Sequence, residues 1–471
     1  MTKRVAVVGG GLSGLTAAFC LLRQAKKAGT EIDLTLWESE GHCGGKISTV
    51  RRDGFRCETG PNGFLDNVPQ TLELVEQLGL GKRLLKSSDA ARRRFIFSGG
   101  ELRSLPESPA AFMRSNLLTL RGRLRIVGEY FVPRRRDNGS GEDETVAAFI
   151  RRRLGDEALQ KLIDPMTSGI YAGDPATMSM ASCFPRIVAL EREYGGLIRG
   201  MIAKQKEARA RGEKRAGGAG PGGTLMSFRN GLQEIIDALT EAAGTRVKTG
   251  APVRSLSSTM AGGNAYQLTF ADGGKVSAEA VVLAVPAYEA AAILAGPAPE
   301  ASSLLREIPY SPVSVVHCGY DAGNAGRDLN GFGFLIPNRE KRRILGSLWT
   351  STIFENRAPE GKVLLTTMVG GARNRETPLL DDARLLEVVD SELKATMGQE
   401  APPDFSLVSR WEKGIPQYLP GHGNLLRTIE EHTVSLPGLF LAGNAYRGIG
   451  FNDCIKAALL LAPRIIRHIS K

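Results

Sequence analysis

Residues Val5 to Leu22 read VAVVGGGLSGLTAAFCLL. Four apolar residues, Val5, Ala6, Val7 and Val8, run into Gly9, Gly10 and Gly11, and a helix-like apolar segment follows Gly14. The pattern predicts a strand, a tight turn and a helix start. Gly9, Gly11 and Gly14 complete a G-x-G-x-x-G, whose glycines let the backbone turn sharply, let a pyrophosphate approach and let helix pack on strand. The helix start at Leu12 and Ser13 turns free N–H groups toward those phosphates. A second apolar run, Ile32 to Trp37, ends at Glu38, the spacing at which a carboxylate meets a ribose hydroxyl in such folds. The two runs together predict a dinucleotide site in an α/β domain.

The same uncharged stretch could serve as a signal peptide or a membrane span. A span needs about 20 predominantly apolar residues, and this one holds four glycines together with Ser13 and Thr16. The following Arg23 to Lys27 is basic rather than a small-residue cleavage site. Neither reading fits, and no other uncharged run is long enough to cross a bilayer.

The 471 residues suit two or three domains. With 42% hydrophobic and 24% charged residues, the composition is that of an ordinary globular protein. Lys plus Arg number 61 against 50 Asp plus Glu, a surplus of 11 that favours an anionic partner. The surplus lies in short clusters, Arg92–Arg94, Arg134–Arg136, Arg151–Arg153 and Lys204–Arg215, with no nucleic-acid module around them. Nucleic acid is therefore not expected. Six cysteines without CxxC spacing and five dispersed histidines predict a reducing compartment and no metal site.

Beyond Glu38 comes Gly44-Gly45-Lys46, a glycine pair where the chain returns from the second strand. Its position resembles the second motif of flavoprotein oxidases related to amine oxidases, which implies FAD rather than NAD. Phe55 to Leu65 reads FRCETGPNGFL, with turn chemistry at Gly60-Pro61-Asn62-Gly63. In its wider form ETGPNGFLDN it closely resembles the flavin-adjacent loop of protoporphyrinogen oxidases. The resemblance continues through Gly169-Ile170-Tyr171-Ala172-Gly173-Asp174-Pro175, matching that family's glycine-rich segment beside the flavin ring, and through Gly443-Asn444 to Asn452 in GNAYRGIGFNDCI. There Gly450 precedes a helix whose N-terminus would stabilise negative charge on the reduced flavin. Pro463 is expected to kink or shorten that helix.

Taken over the whole chain, the resemblance implies a Rossmann-like FAD-binding domain assembled from residues 1–83, 226–290 and 431–471. It implies an α+β substrate domain from 84–107, 196–225 and 291–430, and a helical membrane-associated domain at 108–195. Arginines interspersed in the helical Pro106 to Phe131 suit acidic headgroups on the cytoplasmic side of a membrane, a peripheral contact. Charged, glycine-rich stretches at Arg134–Glu144 and Lys204–Gly223 read as mobile loops. The resemblance further assigns Arg94 to a substrate carboxylate and Asn62 to a pyrrole N–H or the reacting bridge. Gly169, Leu335, Leu348 and Met368 fall where the family clamps a flat tetrapyrrole, Val253 at the adenine, and Trp411 in a loop, Trp411 to His422, leading back to the flavin. The implied reaction is oxidation of protoporphyrinogen to protoporphyrin by FAD, with O2 as acceptor and H2O2 as by-product, in haem or chlorophyll biosynthesis. The cofactor carries that chemistry, so no catalytic side-chain triad or carboxylate pair is expected. Coproporphyrinogen oxidation is the nearest alternative; a flavin amine oxidase, a carotenoid desaturase and a non-catalytic porphyrin-binding flavoprotein are further ones. The residues leave a homodimer open.

Overall fold

The computed structural model describes residues 2–135, 143–210, 223–258 and 265–470. The two charged stretches predicted as mobile loops lie largely outside the described residues.

The opening strand, Lys3–Val8, is central in a five-stranded parallel sheet. Ile32–Trp37 pairs on one side and carries Val247–Lys248 beyond it; Ala280–Leu283 pairs on the other and carries Leu439–Leu441. The run VAVV is apolar at every position because both sheet faces are covered. Val5 and Val7 enter a core with the helices Leu12–Ala28, Gln233–Ala243 and Phe451–Ile469. Ala6 and Val8 enter another with the antiparallel strands Val253–Ser258, Tyr266–Phe270 and Lys275–Ala278 and the helix Ala287–Leu294. The sheet thus draws strands from the beginning, middle and end of the chain.

A second sheet has seven strands, in the order Phe405–Pro416, Tyr310–Asp321, Lys362–Gly370, Ile344–Trp349, Gly333–Leu335, Phe95–Ser98, Glu101–Ser104. One face is closed by the helix Asp382–Met397, whose Leu385, Val389 and Leu393 pack on Val316, Cys318, Phe334, Trp349 and Leu365. Side chains alternate along strands, so the residues between these face the other way.

Four local expectations are corrected. The segment from Trp411 to Pro416 is strand rather than loop, because Trp411, Ile415 and Pro416 pair with Tyr310–Asp321 on either side of a bulge at Glu412–Gly414. Pro106 to Phe131 is not one helix: Ser108 caps Pro109–Arg114, and Thr119 starts Leu120–Val127 by accepting the Gly122 N–H. Thr145 to Asp164 also reads as one helical segment in the sequence, but it breaks at Gly155, whose φ of +91° ends Val146–Leu154. Pro463 does not shorten Phe451–Ile469; it lies exposed, where water can serve the carbonyl deprived of its donor.

The helices between residues 109 and 210 are tied by buried charge. Arg153 and Glu129, both fully buried, form an ion pair, and Glu129 also accepts the N–H groups of Leu197 and Ile198 at 2.8 and 2.9 Å. Arg152 bridges Glu144 and Glu191 at 2.8 and 2.7 Å. This internal frame leaves Leu120, Leu124, Val127, Phe131, Met201 and Ile202 exposed on the outside.

Candidate FAD and substrate site

The C-terminal ends of the parallel strands converge on one crevice, where ligands bind open α/β sheets. Gly9 takes φ +108° directly after Lys3–Val8. A Cβ on Gly14 would drive into the Gly9 carbonyl oxygen, so helix Leu12–Ala28 can approach the strand only with glycine there. Gly11 is the helix N-cap without a side-chain cap, and no acidic residue stands in the first turn. The first-turn N–H groups therefore lack an intrahelical acceptor. A Cβ on Gly11 would meet nothing nearer than the Gly44 carbonyl at 4.0 Å, so the space above the helix end is open. Gly44 donates its N–H to Gly10, which brings the Gly44-Gly45 pair against the first glycine turn.

Glu38 is buried, with one carboxylate oxygen accepting the Gly10 N–H at 2.5 Å and the other the Glu40 N–H at 2.9 Å. Val253 begins its strand just beyond Ala251, whose N–H bonds the Glu38 carbonyl, and packs half-buried in the core with Trp37. Lys46 is half-buried; burial pushes its ammonium down to about 8, and it donates to the Lys413 carbonyl at 2.8 Å and to that of Gly414. That places the side chain beside the strand carrying Trp411. The Trp411 indole in turn donates to the Thr59 carbonyl at 2.7 Å.

The loop Thr59–Gly63 crosses the crevice between the two sheets. Gly60 passes so close to the Lys46 carbonyl that a Cβ would overlap it. Pro61 is exposed, whereas the Asn62 carbonyl oxygen is buried and has no partner. At the opposite wall Asn452 donates to the Leu65 carbonyl at 2.8 Å, while its own side-chain oxygen is likewise buried and unpartnered. Gly450 caps the helix behind it, and Asp453 folds back to accept the Gly450 N–H. Gly443 takes φ +130°, and the Asn444 carbonyl accepts the Tyr418 hydroxyl at 2.5 Å; Tyr418 also receives the Gly448 N–H at 3.0 Å. Uncapped amides, an open glycine cradle, a carboxylate at the second strand and two orphaned amide oxygens together fit an extended dinucleotide such as FAD.

Cross-strand register brings together the residues expected to meet a substrate. Leu335 lies opposite Gly346, Gly346 opposite Met368, and Met368 opposite Val315. Leu348, two residues from Gly346, shares that face, as does Trp411 opposite Val313. Leu335, Leu348 and Met368 are half-exposed within otherwise buried strands. Ile96 lies opposite Leu335, which puts Arg94, two residues earlier, at the rim of this same face. The Arg94 guanidinium stacks over Phe332 at 5.3 Å, burial lowers its pKa, and among the described residues it has no ion-pair partner. Gly169 comes from the helix Asp164–Tyr171; a Cβ there would touch Leu335 at 2.8 Å. Arg373 clamps this segment by pairing with Asp164 and Asp174 at 2.5 and 2.6 Å.

The chain matches the model of the family described as "Flavin containing amine oxidoreductase" over residues 12–466. The chain belongs to that family. Its members' flavin chemistry makes this protein an FAD-dependent oxidoreductase. The chain is 32% identical to "Coproporphyrinogen III oxidase" of Bacillus subtilis (strain 168) over 96% of each chain. It is 33% identical to "Protoporphyrinogen oxidase, chloroplastic" of Nicotiana tabacum over 99% of this chain and 86% of that one. A crystal structure from Exiguobacterium sp. 255-15, named "Putative protoporphyrinogen oxidase", superposes with a TM-score of 0.83 at 26% identity and full coverage of both chains.

Sequence reading missed several residues that organise the oxidoreductase site. Glu58 is one: buried, accepting from Thr49 and Leu232 at 2.8 and 2.9 Å, its carboxyl raised to about 7 chiefly by burial against the pull of Arg357. His317 is another, fully buried and neutral, with burial holding it at about 4. Its ring nitrogens meet the Glu58 carbonyl at 3.1 Å and the Thr366 hydroxyl at 2.9 Å. An acidic residue closing the buried strand Phe55–Glu58 was a visible signal; nothing local marks Arg357 or His317. Among the described residues no helix is long and apolar enough to cross a membrane.

Proposed function

We propose that this oxidoreductase converts protoporphyrinogen IX to protoporphyrin IX, with O2 as acceptor and H2O2 as by-product. Three two-electron steps remove six electrons and six protons from the macrocycle, and three O2 become three H2O2. The observation that carries the reading is the register of Leu335, Leu348 and Met368, an apolar face opposite Gly169 with one unpaired guanidinium at its rim. Such a face suits a flat apolar ligand bearing carboxylates at one edge. Arg94 holds a propionate by a charge-assisted contact, and the Asn62 oxygen accepts an N–H from the ring or cofactor. FAD held by the Gly9–Gly14 turn, Glu38 and the Gly44-Gly45 pair would supply the two-electron acceptor for each step, with O2 as the final oxidant. His317 is no base for this chemistry, since both ring nitrogens are engaged within the protein.

Coproporphyrinogen III is the second reading, favoured by the similarity to the Bacillus protein over nearly the full length of both chains. Four carboxylates would require further cations at the rim besides Arg94. Aerobic turnover of the two porphyrinogens side by side, following porphyrin fluorescence and peroxide together, decides between them. Anaerobic addition of either one should bleach the flavin; tight porphyrin binding without bleaching would make the protein a carrier.

The domain division stands in the same proposal: residues 1–83, 226–290 and 431–471 hold FAD, 84–107, 196–225 and 291–430 bind substrate, and 108–195 meet the membrane. Leu120, Leu124 and Val127 are exposed at helical spacing beside the exposed Arg121, with Phe131 78% exposed next to them, while Arg123 and Arg125 bond the carbonyls of Met113 and of Arg152 and Arg153. An apolar stripe flanked by arginines suits peripheral contact with acidic headgroups, consistent with a place on the cytoplasmic side of a membrane. The double variant Leu124→Asp/Phe131→Asp is expected to abolish sedimentation with anionic vesicles while leaving turnover in detergent unchanged.

A further inference from the structure

Thr59–Gly63 is met by the seven-stranded sheet through the Trp411 indole, and its two ends are held from the same buried point. At its entry, Glu58 is 1% exposed and its carboxylate serves three elements: Thr49 on the preceding strand, the Leu232 N–H before helix Gln233–Ala243, and Arg357 at 3.8 Å. At its exit, Phe64–Leu65 pairs with Leu225–Phe228. Arg357, also 1% exposed, grips that partner strand through the Ser227 hydroxyl at 2.9 Å and the carbonyls of Phe228 and Arg229 at 3.1 and 3.4 Å. Arg357 arrives from the seven-stranded sheet's connection between Ile344–Trp349 and Lys362–Gly370. One buried ion pair thereby spans the loop from end to end and ties it to the connection that leaves the seven-stranded sheet.

We propose that Glu58 and Arg357 form a positioning pair that sets where Thr59–Gly63, and with it the Asn62 carbonyl oxygen, stands relative to the bound cofactor. The inference rests on the proposed placing of this loop beside the flavin. A buried pair is a poor choice for stability alone, because two desolvated charges are commonly matched by well-packed apolar residues. Here the geometry does what an apolar pair does not. Its oxygen and nitrogen atoms hold the Thr49 and Ser227 hydroxyls and backbone groups of a strand end, a helix start and a turn in fixed relation. The unpartnered Asn62 oxygen needs that fixity, since a buried acceptor gains its donor only if the ligand N–H meets it at hydrogen-bond distance.

The test uses the FAD-loaded full chain and the variants Glu58→Gln, Arg357→Met and Arg357→Lys. Three readouts are taken: FAD affinity of the apoprotein, visible circular dichroism of the bound flavin, and hydrogen exchange of the Asn62–Leu65 amides. Glu58→Gln and Arg357→Met are expected to weaken FAD by about tenfold or more, equivalent to about 1.4 kcal/mol. They should also alter the flavin dichroism and speed exchange in Asn62–Leu65, while exchange in Lys3–Val8 and Tyr310–Asp321 stays as in the parent. Should Arg357→Met fail to fold, Arg357→Lys carries the same test. It keeps the charge but cannot reach Ser227, Phe228 and Arg229 together. Loss of thermal stability with unchanged dichroism and unchanged exchange in the loop would overturn the proposal and reduce the pair to a structural role. A parent protein that turns over no porphyrinogen would fail the proposed function instead, leaving the three flavin and exchange readouts intact.

Discussion

At the C-terminal edge of the parallel sheet, the groups proposed to face FAD are backbone: uncapped amides at the start of Leu12–Ala28 and the open surfaces of Gly11, Gly45 and Gly443. On the seven-stranded sheet the proposed substrate contacts are side chains, Leu335, Leu348, Met368 and Arg94, drawn from four different strands or their edges. A backbone site can be made only where the chain lacks side chains, so its geometry leaves little freedom. A side-chain site has slack, because neighbouring rotamers can shift to accommodate a change. The two regions should therefore respond to the same kind of substitution very differently.

Gly14→Ala is the harshest probe of the backbone site. The added Cβ meets the Gly9 carbonyl oxygen, and both atoms belong to backbone that the sheet and helix hold in place. Separating strand from helix opens the phosphate cradle itself. The variant is expected to purify without yellow colour and to show no FAD binding by titration, even if circular dichroism shows its secondary structure retained. Normal flavin content would mean that the close approach at Gly14 is dispensable.

The same contrast explains how much could be read from the sequence. Gly9, Gly11, Gly14 and Glu38 announce themselves within one βαβ stretch, because the backbone requirement is met by neighbours in the chain. Leu335, Leu348 and Met368 carry no such mark. Only the family resemblance singled them out, and only the register of three strands shows that they share a face. Glu58 was visible as an acidic residue closing the strand FRCE but had no partner until Arg357, some 300 residues away, was brought to it. Trp411 was misread as loop because Glu412, Lys413 and Gly414 break the apolar alternation; pairing with Tyr310–Asp321 overrides that local preference.

Arg94→Ala probes the side-chain site at its charged rim. Removing the guanidinium takes away one charge-assisted contact, expected to raise KM for a porphyrinogen by about tenfold to a hundredfold. FAD content and affinity should be those of the parent, which separates the two regions cleanly. Unchanged KM and kcat would remove Arg94 from the site.

Between the two sheets, Glu58 and His317 give the comparison a pH axis. His317 is held at about 4 against an ordinary 6.5, so its contribution to stability is present above 6.5 and is lost as pH falls toward 4. Glu58 is raised to about 7 from 4.5, so its contribution is present below 4.5 and lost as pH rises toward 7. Each is worth about 3 kcal/mol over its window, and between 4.5 and 6.5 the two slopes oppose each other. The parent should show little change of Tm from this pair in that range. His317→Gln should then make Tm fall as pH rises from 4.5 to 7, and Glu58→Gln should make it fall as pH drops from 6.5 to 4. Parallel pH profiles for the two variants would show that neither group titrates as its burial implies.

Gly169→Ala is the mild counterpart of Gly14→Ala and sharpens the comparison most. Both substitutions add one methyl to a glycine at close quarters. At Gly169, however, the methyl would meet the terminal carbons of Leu335, 2.8 and 3.0 Å away, and a leucine side chain can turn where a carbonyl cannot. Gly169 also lies inside the helix Asp164–Tyr171, where alanine gains about 1 kcal/mol over glycine. The variant should therefore keep its FAD and match or exceed the parent in Tm. Its cost should be confined to the face: Leu335 displaced toward the substrate, and KM raised by a few fold with little change in kcat. If Gly169→Ala instead loses flavin as Gly14→Ala does, the segment from Gly169 to Pro175 belongs to the backbone-built side of the site, and the division drawn between the two sheets fails at that helix.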